Sequence, residues 1–320
     1  ELRINDGMTS FAMDPVASTR GQRPAGRLRR QEIRNFYLFI SPWLLGFVLF
    51  VLFPVLFSLY LSFTEYNVVT PARFVGLDNY VRLAQDPLFW KSLSNTGIYT
   101  ALHLPLALLL ALMLALLLNR NVRGTPIFSS IFYLPSIIPI VSTSLMWMWI
   151  FNLKWGVLNL FLRALGLKAI PWLGSEFWAK PALVVMSLWW VGTNMVIYLA
   201  SLKDVPQELY EAAEVDGAHA WTKFWRITLP MISPTILFTV IMGVIGSFQV
   251  FAQANIMTEG GPQDATLFLV LYLYNNAFRW LRMGYASTLA WVLFLIVLVM
   301  TLLILKFSSR QVYYEADERK

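Results

Sequence analysis

Six stretches of this chain, residues 36–63, 96–118, 126–151, 181–202, 229–256 and 286–305, each run for twenty residues or more without one Asp, Glu, Lys or Arg. A helix of about 20 residues crosses the ~30 Å of hydrocarbon in a bilayer. Strands of a membrane β-barrel are shorter and alternate apolar with polar residues, so these blocks exclude a barrel. A soluble fold is excluded as well. The chain is 58% hydrophobic and only 13% charged, whereas soluble domains carry about a quarter charged residues. The expectation is an all-α integral membrane protein with six transmembrane helices.

The positive charges orient it. With the N-terminus inside, the inner segments hold 16 Lys and Arg and the outer ones 9, over similar total lengths. Six of the inner arginines, Arg20, Arg23, Arg27, Arg29, Arg30 and Arg34, crowd the approach to the first block, and Lys306 and Arg310 follow the last. The positive-inside rule then places both termini in the cytoplasm. The expected organisation is a basic cytoplasmic tail (1–35), a six-span permease domain (36–308) and a second cytoplasmic tail (309–320). The first apolar block is too long for a signal-peptide core, and no small-residue cleavage site follows it.

Two further segments are apolar but too short to cross. Residues 156–167 read as an amphipathic stretch along the outer surface, and residues 266–278 as an interfacial or re-entrant helix. Within the third block, Pro135 and Pro139 predict a bend.

Several chemistries have no residues to carry them. There is no cysteine, hence no disulfide and no thiolate metal site. The two histidines, His103 and His219, lie far apart, and no metal site is expected. His103, beside Pro105, reads as a hydrogen bond between helices before it reads as a proton relay. None of the eight lysines follows a glycine, so the phosphate-cradling loop of an ATPase is missing and the chain is expected to be non-enzymatic. The net charge of +7 sits at the ends and between the blocks, without the basic aromatic stripe that nucleic-acid binding needs.

The cytoplasmic segment 206–228 is the most informative. Pro206 starts a helix of good helix formers, Gly217 stands where a left-handed residue would end it, and a second short helix is expected over 220–226. Glu208, Glu211, Glu214 and Asp216 make the knob acidic, and Ala212, Ala213, Gly217 and Ala218 leave one side without bulk. Such a rigid knob suits docking into a cleft on another protein.

Here the chain resembles the permeases of binding-protein-dependent ABC importers. Their cytoplasmic loop has the form E-A-A, three residues, G, nine residues, I-x-L-P. This chain has Glu211-Ala212-Ala213, then Gly217, then Ile227, Leu229 and Pro230. The run Phe74-Val75-Gly76-Leu77-Asp78-Asn79-Tyr80, with Asp86-Pro87, Asn95-Thr96, Thr258-Glu259-Gly260-Gly261-Pro262 and Gly284-Tyr285-Ala286, is similar to the carbohydrate and glycerol-phosphate permeases. The resemblance covers residues 36–307, and within it the chain looks like the larger permease of maltose transporters, in a short six-span form.

It implies a type I importer bundle in a bacterial cell membrane. It also implies a second homologous permease, two nucleotide-binding ATPase subunits, and an extracytoplasmic solute-binding protein that delivers a di- or oligosaccharide. ATP and Mg would be held by the ATPase partners, with no cofactor on this chain. Glu208, Glu211, Ala212, Ala213, Asp216, Gly217, Ala218 and Pro230 would form the coupling helix and its root.

Counting from the family's sugar-contacting positions points to Trp189, Trp190, Thr193, Gly246, Ser247 and Val250 along the substrate path. Asn194, Gln249 and Gln253 join them because membrane-buried amides must face a cavity or another helix. The alternative cargo is glycerol-3-phosphate or another small polar solute. An ion-coupled secondary transporter would need ionisable groups within the spans, which have no Asp or Glu.

Overall fold

The computed structural model describes residues 25–120 and 124–308. Residues 1–24 of the expected N-terminal tail, with Arg20 and Arg23, lie outside the described residues, as do the tail 309–320 and its Arg310. The chain falls into two compact units, Glu1–Leu56 and Phe57–Lys320.

In the first unit a helix, Ala25–Phe47, passes at Val48–Leu52 into a wider π-wound turn, closed by the Phe53 N–H on the Val48 carbonyl. Pro54 lies just beyond. Its ring would press on the Phe50 carbonyl in a tight α-turn, and the wider winding relieves that contact. From Phe36 onward the large side chains of this segment are mostly exposed, with Phe39 86% and Phe50 80%. An uncharged run of this length that is apolar all round calls for lipid or another subunit around it.

Four helices among the described residues are long and apolar enough to cross a membrane: Arg29–Ser62, Pro87–Leu118, Ser233–Met257 and Met283–Ser308. The third and fourth apolar blocks are instead bent pairs. Thr125–Ile137 meets Ile140–Ile150 at 97°, and Glu176–Trp190 meets Gly192–Lys203 at 46°. The count reaches six if each bent pair is one span.

The first bend falls at the expected prolines. Ile138, which precedes Pro139, is extended at φ −72°, ψ 129°, because the proline ring disfavours the helical region for the residue before it. The second bend follows a 3₁₀ turn, Leu188–Trp190. There Gly192 lets the backbone close on the preceding block, since a Cβ at this position would sit 2.2 Å from the Phe132 carbonyl oxygen. A third irregularity interrupts the fifth block between Ser233–Phe248 and Ala252–Met257.

The single departure from an all-α chain, among the described residues, is a two-residue antiparallel pairing of Thr64–Glu65 with Arg73–Phe74. Residues 156–167 contain the helix Val157–Ala164, with Phe161 62% exposed. The short segment 266–278 is corrected in one respect. It forms Leu269–Tyr274 and a π-turn, Asn275–Arg279, but Phe268, Leu269, Leu271 and Asn276 are fully buried. It packs against Pro87–Leu118 and Met283–Ser308 as part of the core, so it does not lie on the surface as an interfacial helix would.

Two apolar clusters hold the second unit. One gathers Tyr99, Phe151, Leu183, Phe268 and Leu289. The other gathers Ala111, Ala115, Met195, Tyr198 and Ile232. Ala107, Ala111 and Ala115 recur every four residues and are buried, which lets neighbouring backbones approach closely.

Beyond the first cluster lies a polar knot. The Asn79 amide donates to the carbonyls of Ser62 (3.0 Å) and Thr64 (2.8 Å). Gly284 approaches Thr64 so closely that a Cβ would sit 2.0 Å from its carbonyl oxygen. Asp86 caps the Pro87–Leu118 helix, accepting from the Leu88 N–H at 2.9 Å, and its other oxygen accepts from Tyr272 and, at 2.5 Å, from Tyr285. Burial pushes the Asp86 carboxyl up, but the two tyrosines and the backbone N–H groups of Leu88 and Phe89 outweigh it and hold it below its usual value. Burial and the bond to Asp86 push Tyr272 up to about 12, so it stays a neutral donor.

Asp86→Asn should therefore cost about 1–2 kcal/mol, less than a fully buried charged hydrogen-bond set because the carboxylate is part-exposed. A thermal melt of the purified chain in detergent at pH 7 checks this, and an unchanged midpoint would contradict it. The carboxylate's contribution is present above the ordinary Asp pKa and is lost as pH falls through the lowered value. The Asn variant should lack that acid-side component.

Candidate functional site: a cytoplasmic knob and a cavity at the helix breaks

The knob forms much as its sequence predicts. Gln207–Val215 is helical with Pro206 at its N-cap. Gly217 has φ +74°, a left-handed conformation that glycine adopts without cost. The Ala218 N–H bonds the Ala213 carbonyl at 2.8 Å and the Gly217 N–H bonds that of Glu214 at 3.0 Å, the paired closure of a Schellman turn. The second helix is shorter than expected. It spans Ala220–Lys223 and then widens into a π-turn, Phe224–Thr228. A Lys223–Glu214 ion pair at 2.6 Å ties the two arms together, and a Tyr210–Thr228 hydroxyl pair at 2.9 Å fixes the knob to the root of the fifth block.

Glu208, Glu211, Ala212, Asp216 and Gly217 are exposed, and Ala213 and Ala218 are half-buried. Pro230 does not belong to the exposed face. It is half-buried beneath the knob, lining a separate cavity with Ser233 and Leu237. Two apolar residues of the exposed face escaped the sequence reading: Val215, 89% exposed, and Trp221, 71% exposed. Their sequence signal is that of bulky apolar residues in a polar loop.

A cavity of about 250 Å³ lies between the second, third, fourth and fifth blocks. Six of the nine residues expected on the substrate path line it: Trp190, Asn194, Gly246, Ser247, Val250 and Gln253. Trp189, Thr193 and Gln249 do not. Trp189 points away and meets Trp147 edge-on at 5.7 Å, while Thr193 and Gln249 are exposed on other faces. Neighbours in a helix diverge in direction, so the Trp pair can place only one ring in the cavity. Gln249 sits at the C-cap of Ser233–Phe248, where the helix has stopped.

The cavity also recruits residues that the sequence reading did not place there. Tyr99, His103 and Ser187 line it. The His103 ring stacks on Tyr99 (centroids 5.3 Å, 13°), and its Nδ1 lies 3.3 Å from Ser247 Oγ. The helix-joining hydrogen bond expected of His103 is thus present. Tyr99 donates to Ser187 at 2.7 Å, and Ser187 donates to the Leu183 carbonyl at 2.8 Å. One clue was available: Tyr99 and His103 are four apart and share a helix face.

No Asp, Glu, Lys or Arg lines this cavity. Its chemistry is aromatic faces, amides, hydroxyls and one imidazole. Among the described residues no cluster of His, Asp and Glu has the geometry to hold a metal ion.

On one side of Tyr99 the loop 258–268 closes over it, with Phe268 tilted against its ring at 5.1 Å. That loop is pinned through its backbone. Asn95 donates to the carbonyls of Asp264 (2.7 Å) and Leu267 (3.1 Å), Lys91 to that of Gln263 (2.5 Å), and Lys180 to that of Ala265 (3.1 Å). Thr96 accepts from the Leu269 N–H at 3.0 Å.

Residues 105–313 match the family described as binding-protein-dependent transport system inner membrane component. The chain is 42% identical to the probable ABC transporter permease protein YesP of Bacillus subtilis (strain 168), over 97% of this chain and 100% of that protein. It is 38% identical to the lactose transport system permease protein LacF of Rhizobium radiobacter, over 92% of this chain and 97% of LacF. In structure it is similar to a chain of a bacterial alginate ABC transporter solved with an alginate pentasaccharide-bound periplasmic protein. The TM-score is 0.79 at 25% identity, covering 89% of this chain and 98% of that one. With these relatives and a knob and bundle of this form, the chain belongs to the binding-protein-dependent transport system inner membrane components, the multi-pass permease subunits of ABC transporters.

Proposed function

We propose that this chain is one of two permeases that together pass a neutral di- or oligosaccharide across a bacterial cell membrane. In this reading it crosses six times with both termini in the cytoplasm. Two ATPase subunits bind ATP and Mg and supply the energy, and an extracytoplasmic binding protein delivers the sugar. The observation that carries the reading is the central cavity. Trp190 offers an aromatic ring, and Asn194, Ser247 and Gln253 offer uncharged hydrogen-bonding groups, the chemistry that sugar rings and hydroxyls require. The absence of Lys and Arg from its lining favours a neutral cargo over glycerol-3-phosphate. The lactose named in one relative points the same way.

Motion would come from the knob. Closure of the ATPase dimer on ATP moves the exposed face of Glu208, Glu211, Ala212, Asp216, Val215 and Trp221 as a rigid body. The Lys223–Glu214 pair and the Tyr210–Thr228 contact carry that displacement into the fifth block, which lines the cavity. ATP thus shifts the population toward the state it binds better. Glu211, Ala212, Ala213, Gly217 and Ala218 act in this scheme as the docking helix and its stop, with Pro230 at the root.

Two experiments test this on the complex assembled with its partners in proteoliposomes. Gly246 has open space where a Cβ would be built and lines the cavity. Gly246→Leu should fill the path, lowering sugar uptake at least tenfold with assembly intact, whereas Gly246→Ala should retain most uptake. Uptake equal to wild type in the Leu variant would remove the cavity from the path. Separately, Gly217→Pro cannot adopt φ +74°, and Glu211→Lys reverses a charge on the docking face. Both should abolish sugar-stimulated ATP hydrolysis while leaving membrane insertion unchanged. Retained stimulation in both would refute the coupling role.

A further inference from the structure

A second cavity, of about 480 Å³, opens at the polar knot. Its floor is Asp86 with Tyr272 and Tyr285, and its rim is Arg82, Gln85, Trp280 and Arg282. Every residue that lines it belongs to segments 64–95 and 257–285, which the charge count assigns to the outside. No residue is shared with the central cavity.

Both guanidiniums are exposed and held in place. Arg82 lies over the Tyr285 ring, 5.2 Å from its centre, and Arg282 over the Trp280 ring at 5.9 Å. Neither forms an ion pair with another described residue. Among the described residues such pairs are Arg73–Glu65, Lys223–Glu214 and Arg279–Glu259. Asp86 does not serve them either. Its two oxygens are taken by Leu88 N–H and by the hydroxyls of Tyr272 and Tyr285. The rim therefore offers two cationic forks over a floor whose one carboxylate is hydrogen-bonded to Leu88, Tyr272 and Tyr285.

Around the rim, Phe278 is 60%, Trp280 45% and Leu281 42% exposed. Arginine, tryptophan and tyrosine around a pocket, ringed by apolar surface, are what protein hot spots are made of. A sugar platform would need open ring faces. Here each guanidinium already covers one face of its ring, and Tyr272 meets Trp280 edge-on at 6.0 Å.

We propose that this outer cavity is a docking socket for an acidic side chain of the extracytoplasmic binding protein, held between Arg82 and Arg282 with apolar residues around it seated on Phe278, Trp280 and Leu281. The inference rests on the importer reading above and adds to it the surface and the charge by which delivery is recognised. Removing such paired charges weakens association and flattens its salt dependence.

The test is titration of ATPase activity in the reconstituted complex with the purified, sugar-loaded binding protein that stimulates the wild type. Arg82→Glu with Arg282→Glu should raise the half-maximal binding-protein concentration by roughly tenfold or more at low salt. The activity without binding protein and the rate at saturation should stay as in wild type, and raising the salt should narrow the gap. Single Arg82→Gln and Arg282→Gln variants, each expected to shift the curve less, stand in if the double variant does not assemble. A superimposable titration curve in the variants overturns the socket. So does an unchanged curve with reduced transport of an acidic sugar only, which would make the cavity a glycan site. A wild-type complex that no binding protein stimulates would instead overturn the importer reading itself.

Discussion

Hydrocarbon offers no partner to an unpaired backbone N–H or carbonyl, so a chain may leave helical geometry at membrane depth only where protein or an enclosed cavity receives it. This constraint organises the second unit. Three irregular points of its apolar blocks, at Ile138–Pro139, at Leu188–Val191 and at Gln249–Phe251, converge on one place. Ile140, Trp190, Val191 and Val250, each at or beside a break, all line the central cavity. The unbroken Pro87–Leu118 helix supplies the remaining wall through Tyr99 and His103. The breaks and the cavity are thus one feature: the chain leaves helical geometry where a cavity, not lipid, receives it.

The residues that make this chain resemble its family outside the cytoplasmic loop mostly do another job. Asn79, Asp86, Asn95, Thr96, Gly284 and Tyr285 all enter hydrogen bonds or close contacts that bind loops to helix ends. They hold the loop 258–268 against Tyr99 and set the start of the last helix against the strand pair. Asn79, Asn95 and Thr96 satisfy buried backbone groups that would otherwise be orphaned, and Tyr285 donates to Asp86.

Knob and cavity are joined through packed side chains. Tyr210 and Ile227 at the base of the knob pack on the cluster of Ala111, Ala115, Met195 and Ile232, and the helices of that cluster continue to the cavity walls. Close-packed interiors transmit displacement with little loss. In the coupling scheme proposed above, a push on the exposed face of Val215 and Trp221 would reach the cavity through these contacts.

Hydrophobicity and local backbone chemistry were legible from the chain itself. The apolar blocks follow from what lipid solvates, the bend at Pro139 from the ring's steric demand, and the turn at Gly217 from the one residue free to take a positive φ. Facing was not legible. The sequence put Trp189 beside Trp190 and Gln249 beside Val250, and could not say which of each pair turns inward. That depends on a 3₁₀ turn and on where a helix ends, and both are settled by contacts with distant residues such as Phe132 against Gly192. Nor did it foretell that Arg82 and Arg282, 200 positions apart, would share one rim, or that segment 266–278 would be buried. Composition and periodicity determine what a segment can be. Which of its faces meets which neighbour is decided only when packing and polar satisfaction are solved for the whole fold at once.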